Sequence, residues 1–232
     1  MNTILKAIIH NEDASPYPLF VDYCMKKEKG LRKDSFVSLH SFINEVQSWE
    51  HQDRKQFLIW FFGLCEQADD VHQVLVYPLE INLVQPVLKE WMAAQKEDAR
   101  PFRWSGLFLN TGKNAQDLRQ AIAIGGDAEQ LAIERLIQLL LNSIWYSCHH
   151  ISEDLYLGHI EEDIALLDEL DVLNSRIQDE AHRQRIGEKM NYYRELLADW
   201  TAFRARHTEG FAEWCKENGK KYAWVQAYYY ER

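Results

Sequence analysis

The sequence predicts an all-α protein, built of stacked helical hairpins as an irregular α-solenoid or a compact helical bundle. Three observations carry this expectation. Apolar residues recur at steps of three and four through long stretches, the period of one helix face. The 232-residue chain has only 5 Pro and 10 Gly, few for a loop-rich or all-β protein. Several of the periodic stretches also begin and end on capping residues. One domain over 1–232 is expected, with a sub-division into 1–110 and 111–232 as the alternative. A chain of this length buries roughly 70% of its unfolded surface, so it folds without covalent staples.

In chain order, helices are expected at 17–29 and 34–49. The run "FLIWFFGLC", residues 57–65, would suit a buried strand on composition alone. Asp53 followed by Gln56 has capping-box spacing just before it and favours a buried helix. "VHQVLVY", residues 71–77, is a candidate short strand. Helices follow at 84–96 and 114–124, with Pro86 and Pro101 at first-turn positions, where a missing N–H is tolerated. Gly125 and Gly126 are placed to end one helix in the left-handed conformation. Asp127 with Gln130 then suits the start of the next, "AEQLAIERLIQLLLNSIWYSC". That helix is apolar on most sides in its second half and is expected to be central. Ile160, Ile164, Leu167, Leu170, Leu173 and Ile177 form one stripe; Ile186, Met190, Tyr193, Leu197 and Trp200 form another. The two predict an antiparallel hairpin that turns near "QDEAHR". "YAWVQAYYY", residues 222–230, fits either strand or helix.

"VLKEWMAAQKEDARPFRWSGLFL" resembles the junction between tetratricopeptide repeats, with Ala93 and Asp98 closing one helix and Trp104 and Leu107 opening the next. "LRQAIAIGGDAEQLAIERL" resembles a second junction, so the likeness covers residues 84–140. It departs from the family where Phe108 replaces a glycine, where the turn proline is absent, and in a spacing between junctions shorter than the family's. The resemblance implies a solenoid of irregular repeats with a groove for a peptide or protein. It carries over no binding residues.

Charge is concentrated. Residues 136–175 hold eight carboxylates and no Lys or Arg, giving −8 of the chain's net −10. Residues 1–135 contribute −4 and residues 176–232 contribute +2. Such a segment repels nucleic-acid phosphates and anionic membranes and attracts a basic protein. Cys24, Cys65, Cys148 and Cys215 lie 41, 83 and 67 residues apart, without the spacing of a zinc knuckle or a redox pair. They suit core thiols in a reducing, cytoplasmic setting. The first twenty residues do not have the pattern of a secretory signal, and the nine-residue run at 57–65 is too short to span a bilayer.

"WYSCHHISEDLYLGHIEED", residues 145–163, is the densest cluster of polar chemistry. His149, His150, Glu153 and His159 are its candidate metal ligands, the basis of an alternative expectation of a metal-dependent hydrolase. No HExxH pattern accompanies them. A turn between helices accounts for the same residues. The two histidines would sit at a negative helix end, and Glu161, Glu162 and Asp163 would fill the next first turn. "GLFLNTGKN" misses the phosphate-loop pattern by one residue between glycines and by Asn114 in the hydroxyl position; Asn114 suits a helix cap. Lys216, Lys220 and Lys221 beside Tyr222, Trp224, Tyr228, Tyr229 and Tyr230 would suit single-strand nucleic-acid binding, a second alternative.

The leading expectation is a non-enzymatic protein-binding protein without a cofactor. Its acidic helical face, Glu161, Glu162, Asp163, Asp168, Glu169 and Asp171, would meet a basic partner, with Trp224 and Tyr228 as aromatic anchors. A narrower form is an inhibitor- or immunity-type protein that covers a basic enzyme.

Overall fold

The computed structural model describes residues 4–206 and 210–223, and the regular elements among them are all helical. The chain divides into two compact units, Met1–Gly125 and Gly126–Arg232. Among the described residues, no helix is long and apolar enough to cross a membrane.

The first unit holds α1 (Ile4–Ile9), α2 (Pro18–Glu28), α3 (Arg32–Val46), α4 (His51–Cys65), α5 (Tyr77–Leu79), α6 (Gln85–Ala94), α7 (Ala99–Phe108) and α8 (Asn114–Gly125). A π turn, Glu80–Val84, joins α5 to α6. Its core is aromatic. Phe57, Leu58, Phe61, Phe62 and Cys65 of α4 are all buried, at steps of one and three that form one broad face of the helix. Phe57 meets Phe20 edge-on at 5.1 Å and Phe61 stacked at 5.7 Å; Phe62 stacks on Trp104 at 5.0 Å. These rings bring large apolar areas together in the geometries their quadrupoles favour.

Polar pins finish the unit. Asp98 Oδ1 accepts the Arg100 N–H at 3.1 Å, capping α7, and its Oδ2 accepts the Trp91 indole N–H at 3.1 Å. The same indole lies under Lys55 Nζ at 4.0 Å, and that ammonium donates to Gln95 Oε1 at 2.5 Å. Asp98 thus caps α7, while Trp104 lies in the middle of that helix and Leu107 near its C-terminal end.

Several local expectations are corrected here. α4 begins at His51, so Asp53 sits in its first turn and not at its cap. Residues 71–76 form turns and Tyr77 opens α5, with Val74 and Leu75 buried; their branched side chains answer burial, not strand pairing. Asn114 opens α8, but its amide donates to the carbonyls of Gly106 (3.0 Å) and Leu109, so it closes α7.

The second unit holds α9 (Gln130–Cys148), α10 (Ile160–Asn174), α11 (Glu180–Arg206) and α12 (Phe211–Glu217). Gly126 takes φ +64°, ending the preceding helix as its sequence suggests. Asp127 does not cap α9. Its carboxylate accepts from Arg176 Nε at 2.7 Å, while Gln130 bonds the Arg176 carbonyl (3.1 Å) and the Gln178 N–H (3.1 Å). α10 packs on α9 and on α11, and α10 and α11 form the expected hairpin. Leu167, Leu170, Leu173 and Ile177 are buried, as are Ile186, Met190, Leu197 and Trp200 of α11, on which α10 packs. α12 packs on α11 and on the single turn Ile151–Glu153.

Candidate functional site

The segment linking α9 to α10 carries the clustered polar residues, and its geometry follows from the end of α9. His149 is the C-cap of α9. Its Nδ1 lies 2.6 Å from the Tyr146 carbonyl, one of the acceptors a helix end leaves open. The imidazole stacks on Trp145 at 5.0 Å and packs against the His150 ring at 4.1 Å. His150 Nδ1 faces Glu153 Oε1 at 3.3 Å. The chain then turns at Asp154, which adopts the left-handed φ of 60°. Asp154 Oδ1 accepts the Phe211 N–H at 2.6 Å, which places the start of α12.

Beyond this turn the chain folds back along α9, and the Leu157 N–H donates to the Ser147 carbonyl at 2.9 Å. Gly158 permits the approach. A Cβ there would collide with Ser147 Oγ and would stand 2.7 Å from Asp163 Oδ2. The Tyr156 hydroxyl donates to Asp163, whose residue is only 3% exposed. Burial, reinforced by that hydrogen bond, pushes the Tyr156 hydroxyl above the ordinary phenol range. Burial also pushes the Cys148 thiol up to about 12, with Asp163 adding to it. Cys215 is raised to about 11 for the same leading reason, and Cys24 and Cys65 are raised further. Burial thus works against the thiolate form of all four.

His149, His150, Glu153 and His159 are not assembled as a ligand set. His159 stands at the N-cap of α10 with its ring exposed. Among the described residues, no group of three or more His, Cys, Asp or Glu side chains is placed to hold a metal ion.

The acidic helix is sorted by the fold into three kinds of carboxylate. Asp163 is inside, bound to Tyr156, and is corrected from the surface to the core. Asp171 is clamped by Arg194 of α11, whose Nη1 reaches it at 3.2 Å; Arg194 also donates to the Leu167 carbonyl at 3.1 Å. Asp168 lies 3.8 Å from the same guanidinium with its side chain largely exposed, and Glu169 is half-buried. Glu161 and Glu162 are exposed. Two apolar side chains share the outer side of α10, Ile164 at 46% exposed and Val172 at 62%. Trp224 and Tyr228, with the rest of the C-terminal aromatic run from residue 224, lie outside the described residues.

A groove of about 1130 Å³ lies between α9 and α11 and was not evident in the sequence. Leu131 and Trp145, 41% and 48% exposed, open onto it. α9, expected to be central, has one side open to solvent: Tyr146 is exposed with them, as are Gln138 and Asn142. The hint lay in α9 itself, where Leu131 and Trp145 stand fourteen residues apart, close to four helical turns, among polar neighbours.

Compared with family models, with curated proteins and with solved structures, the chain finds no match.

Proposed function

We propose that this chain is a non-enzymatic protein-binding module and that the outer side of α10 is its docking face for a basic partner. One observation carries the reading. Ile164 and Val172 stand exposed beside Glu161, Glu162 and Asp168, in a 40-residue segment (136–175) without a single Lys or Arg. Exposed apolar side chains supply area to bury, and unbalanced carboxylates steer a cationic surface onto it. The inhibitor- or immunity-type role is the narrower form of this reading, in which the basic partner is an enzyme.

The test is isolation of the protein from its own cells at low ionic strength, followed by native mass spectrometry. The wild type is expected to retain a basic polypeptide that added salt releases. The variant Glu161→Lys/Glu162→Lys/Asp168→Lys is expected to lose it. The same polypeptide held equally by the variant would overturn the assignment to α10.

A further inference from the structure

We infer that the groove between α9 and α11 receives the outer side of α10 from a second copy of this chain, so that copies associate head to tail. This rests on the reading of α10 as a docking face, and a basic partner bound there would compete with the groove of the second copy.

The groove has the shape and chemistry for an acidic, amphipathic helix. Leu131 and Trp145 present apolar surface along α9, and Arg185 and Lys189 stand one turn apart on the α11 wall. With Arg135 the lining holds three cations against Glu134 and Glu188, so its formal charge is +3 − 2 = +1, in a chain that carries −10 overall. On α10, Ile164 and Val172 are eight residues apart, about 12 Å along the axis, and Glu161 and Asp168 are seven apart, about 10 Å. They form one exposed side on which carboxylates flank apolar groups. α10 has 15 residues, about 22 Å, and α9 has 19, about 28 Å, so the one helix can lie along the other. Asp171 takes no part, because Arg194 of its own chain hydrogen-bonds it; Asp168 lies 3.8 Å from the same guanidinium but keeps most of its side chain exposed.

The two surfaces are different patches of one molecule. Pairing them is heterologous, so each pair leaves one groove and one α10 face open, and growth continues to a ring or a filament. One helix side in one groove is smaller than a standard interface of about 800 Å² per partner, so association is weak, reversible and weakened by salt.

The experiment is sedimentation velocity on the full chain over rising concentration at low and high salt. It compares the wild type with a groove variant, Arg185→Glu/Lys189→Glu, and a face variant, Ile164→Gln/Val172→Gln. Thermal melting checks that both variants keep the fold. The wild type should grow beyond a dimer at low salt, and each variant alone should stay a monomer. Their equimolar mixture should stop at a 1:1 dimer of twice the monomer mass, because it retains one intact groove and one intact face. A wild type that stays monomeric at every concentration would overturn the inference. So would a mixture that remains monomeric while the wild type associates. In either case, retention of a basic polypeptide by the wild type and its loss from the α10 charge variant would leave the proposed function standing.

Discussion

The two compact units differ in the charged groups they bury and in how much aromatic surface they leave outside. Among the described residues the first buries no carboxylate residue, and Phe20, Phe42, Phe57, Phe61, Phe62 and Trp91 are almost wholly inside, while Tyr77 is exposed. The second buries Glu129, Asp163 and Asp199, and leaves Trp145 and Tyr146 facing outward. Asp163 and Asp199 each accept a tyrosine hydroxyl, from Tyr156 and Tyr222. Ring packing dominates the core of the first unit, with the Asp98 pins beside it. In the second, tyrosine–carboxylate pins join an apolar core that leaves Trp145 and Tyr146 outside. A rigid scaffold with exposed apolar groups is what docking requires.

The largest effect should come from the first unit's core. Phe61→Ala leaves a cavity among Phe20, Phe57 and Phe62 and is expected to lower stability by about 3–5 kcal/mol in denaturant unfolding. A loss below about 1 kcal/mol would break the contrast, since it would mean the ring cluster is loosely packed.

Next comes the polar pin of the second unit. Gly158→Ala drives a methyl into Ser147 and Asp163 and should cost about 1–3 kcal/mol, with the Tyr156 bond disturbed. Unfolding followed by Tyr and Trp fluorescence reads it, and a neutral result would mean the strand of chain over α9 adjusts freely.

High pH should act on the second unit in a defined direction. Burial pushes the Tyr193 hydroxyl and the Cys148 thiol each to about 12, from ordinary values of 10.0 and 9.0. Both are neutral when folded and ionise more readily when unfolded. Their folded values are raised, so stability is intact below about pH 9 and falls as pH rises toward about 12. Urea midpoints between neutral and strongly alkaline pH measure this, and a flat profile would contradict the burial of these groups.

Smaller still is the cap of α7. Burial tends to raise the Asp98 carboxyl, but its hydrogen bonds to Arg100 hold it below the ordinary carboxylate value. Asp98→Ala removes the cap and the Trp91 partner and should cost about 1–2 kcal/mol. The smallest effect on stability belongs to Trp145→Ala, within about 0.5 kcal/mol, because nearly half of that residue already faces solvent. A large loss there would sharpen the comparison by showing that the groove residues are structural.

Much of the helical plan was legible in the sequence, and the reasons differ by element. The α10–α11 hairpin followed from its stripes, since Leu167, Leu170, Leu173 and Met190 bury as their spacing demands. Ile164 belonged to the same stripe yet is turned out, while Asp163 beside it is turned in. Periodicity misses this exchange because it depends on Tyr156 and Gly158, which arrive from the linker. The capping signals at Asp53 and Asp127 had competitors that local spacing does not reveal: a helix that starts earlier, and an arginine 49 residues away. The groove was not legible, because it depends on how far α9 and α11 diverge around α10. Of the acidic residues, the sequence supplied the charge, but only the fold shows that Arg194 clamps Asp171 and that Glu161 and Glu162 remain open.

The most direct test of the α10 docking face is the association rate of the salt-released partner as a function of ionic strength. For the wild type, the rate should fall steeply as salt rises. For Glu161→Lys/Glu162→Lys/Asp168→Lys it should be slower at low salt and nearly flat. Equal rates and equal salt slopes for the two proteins would contradict the account.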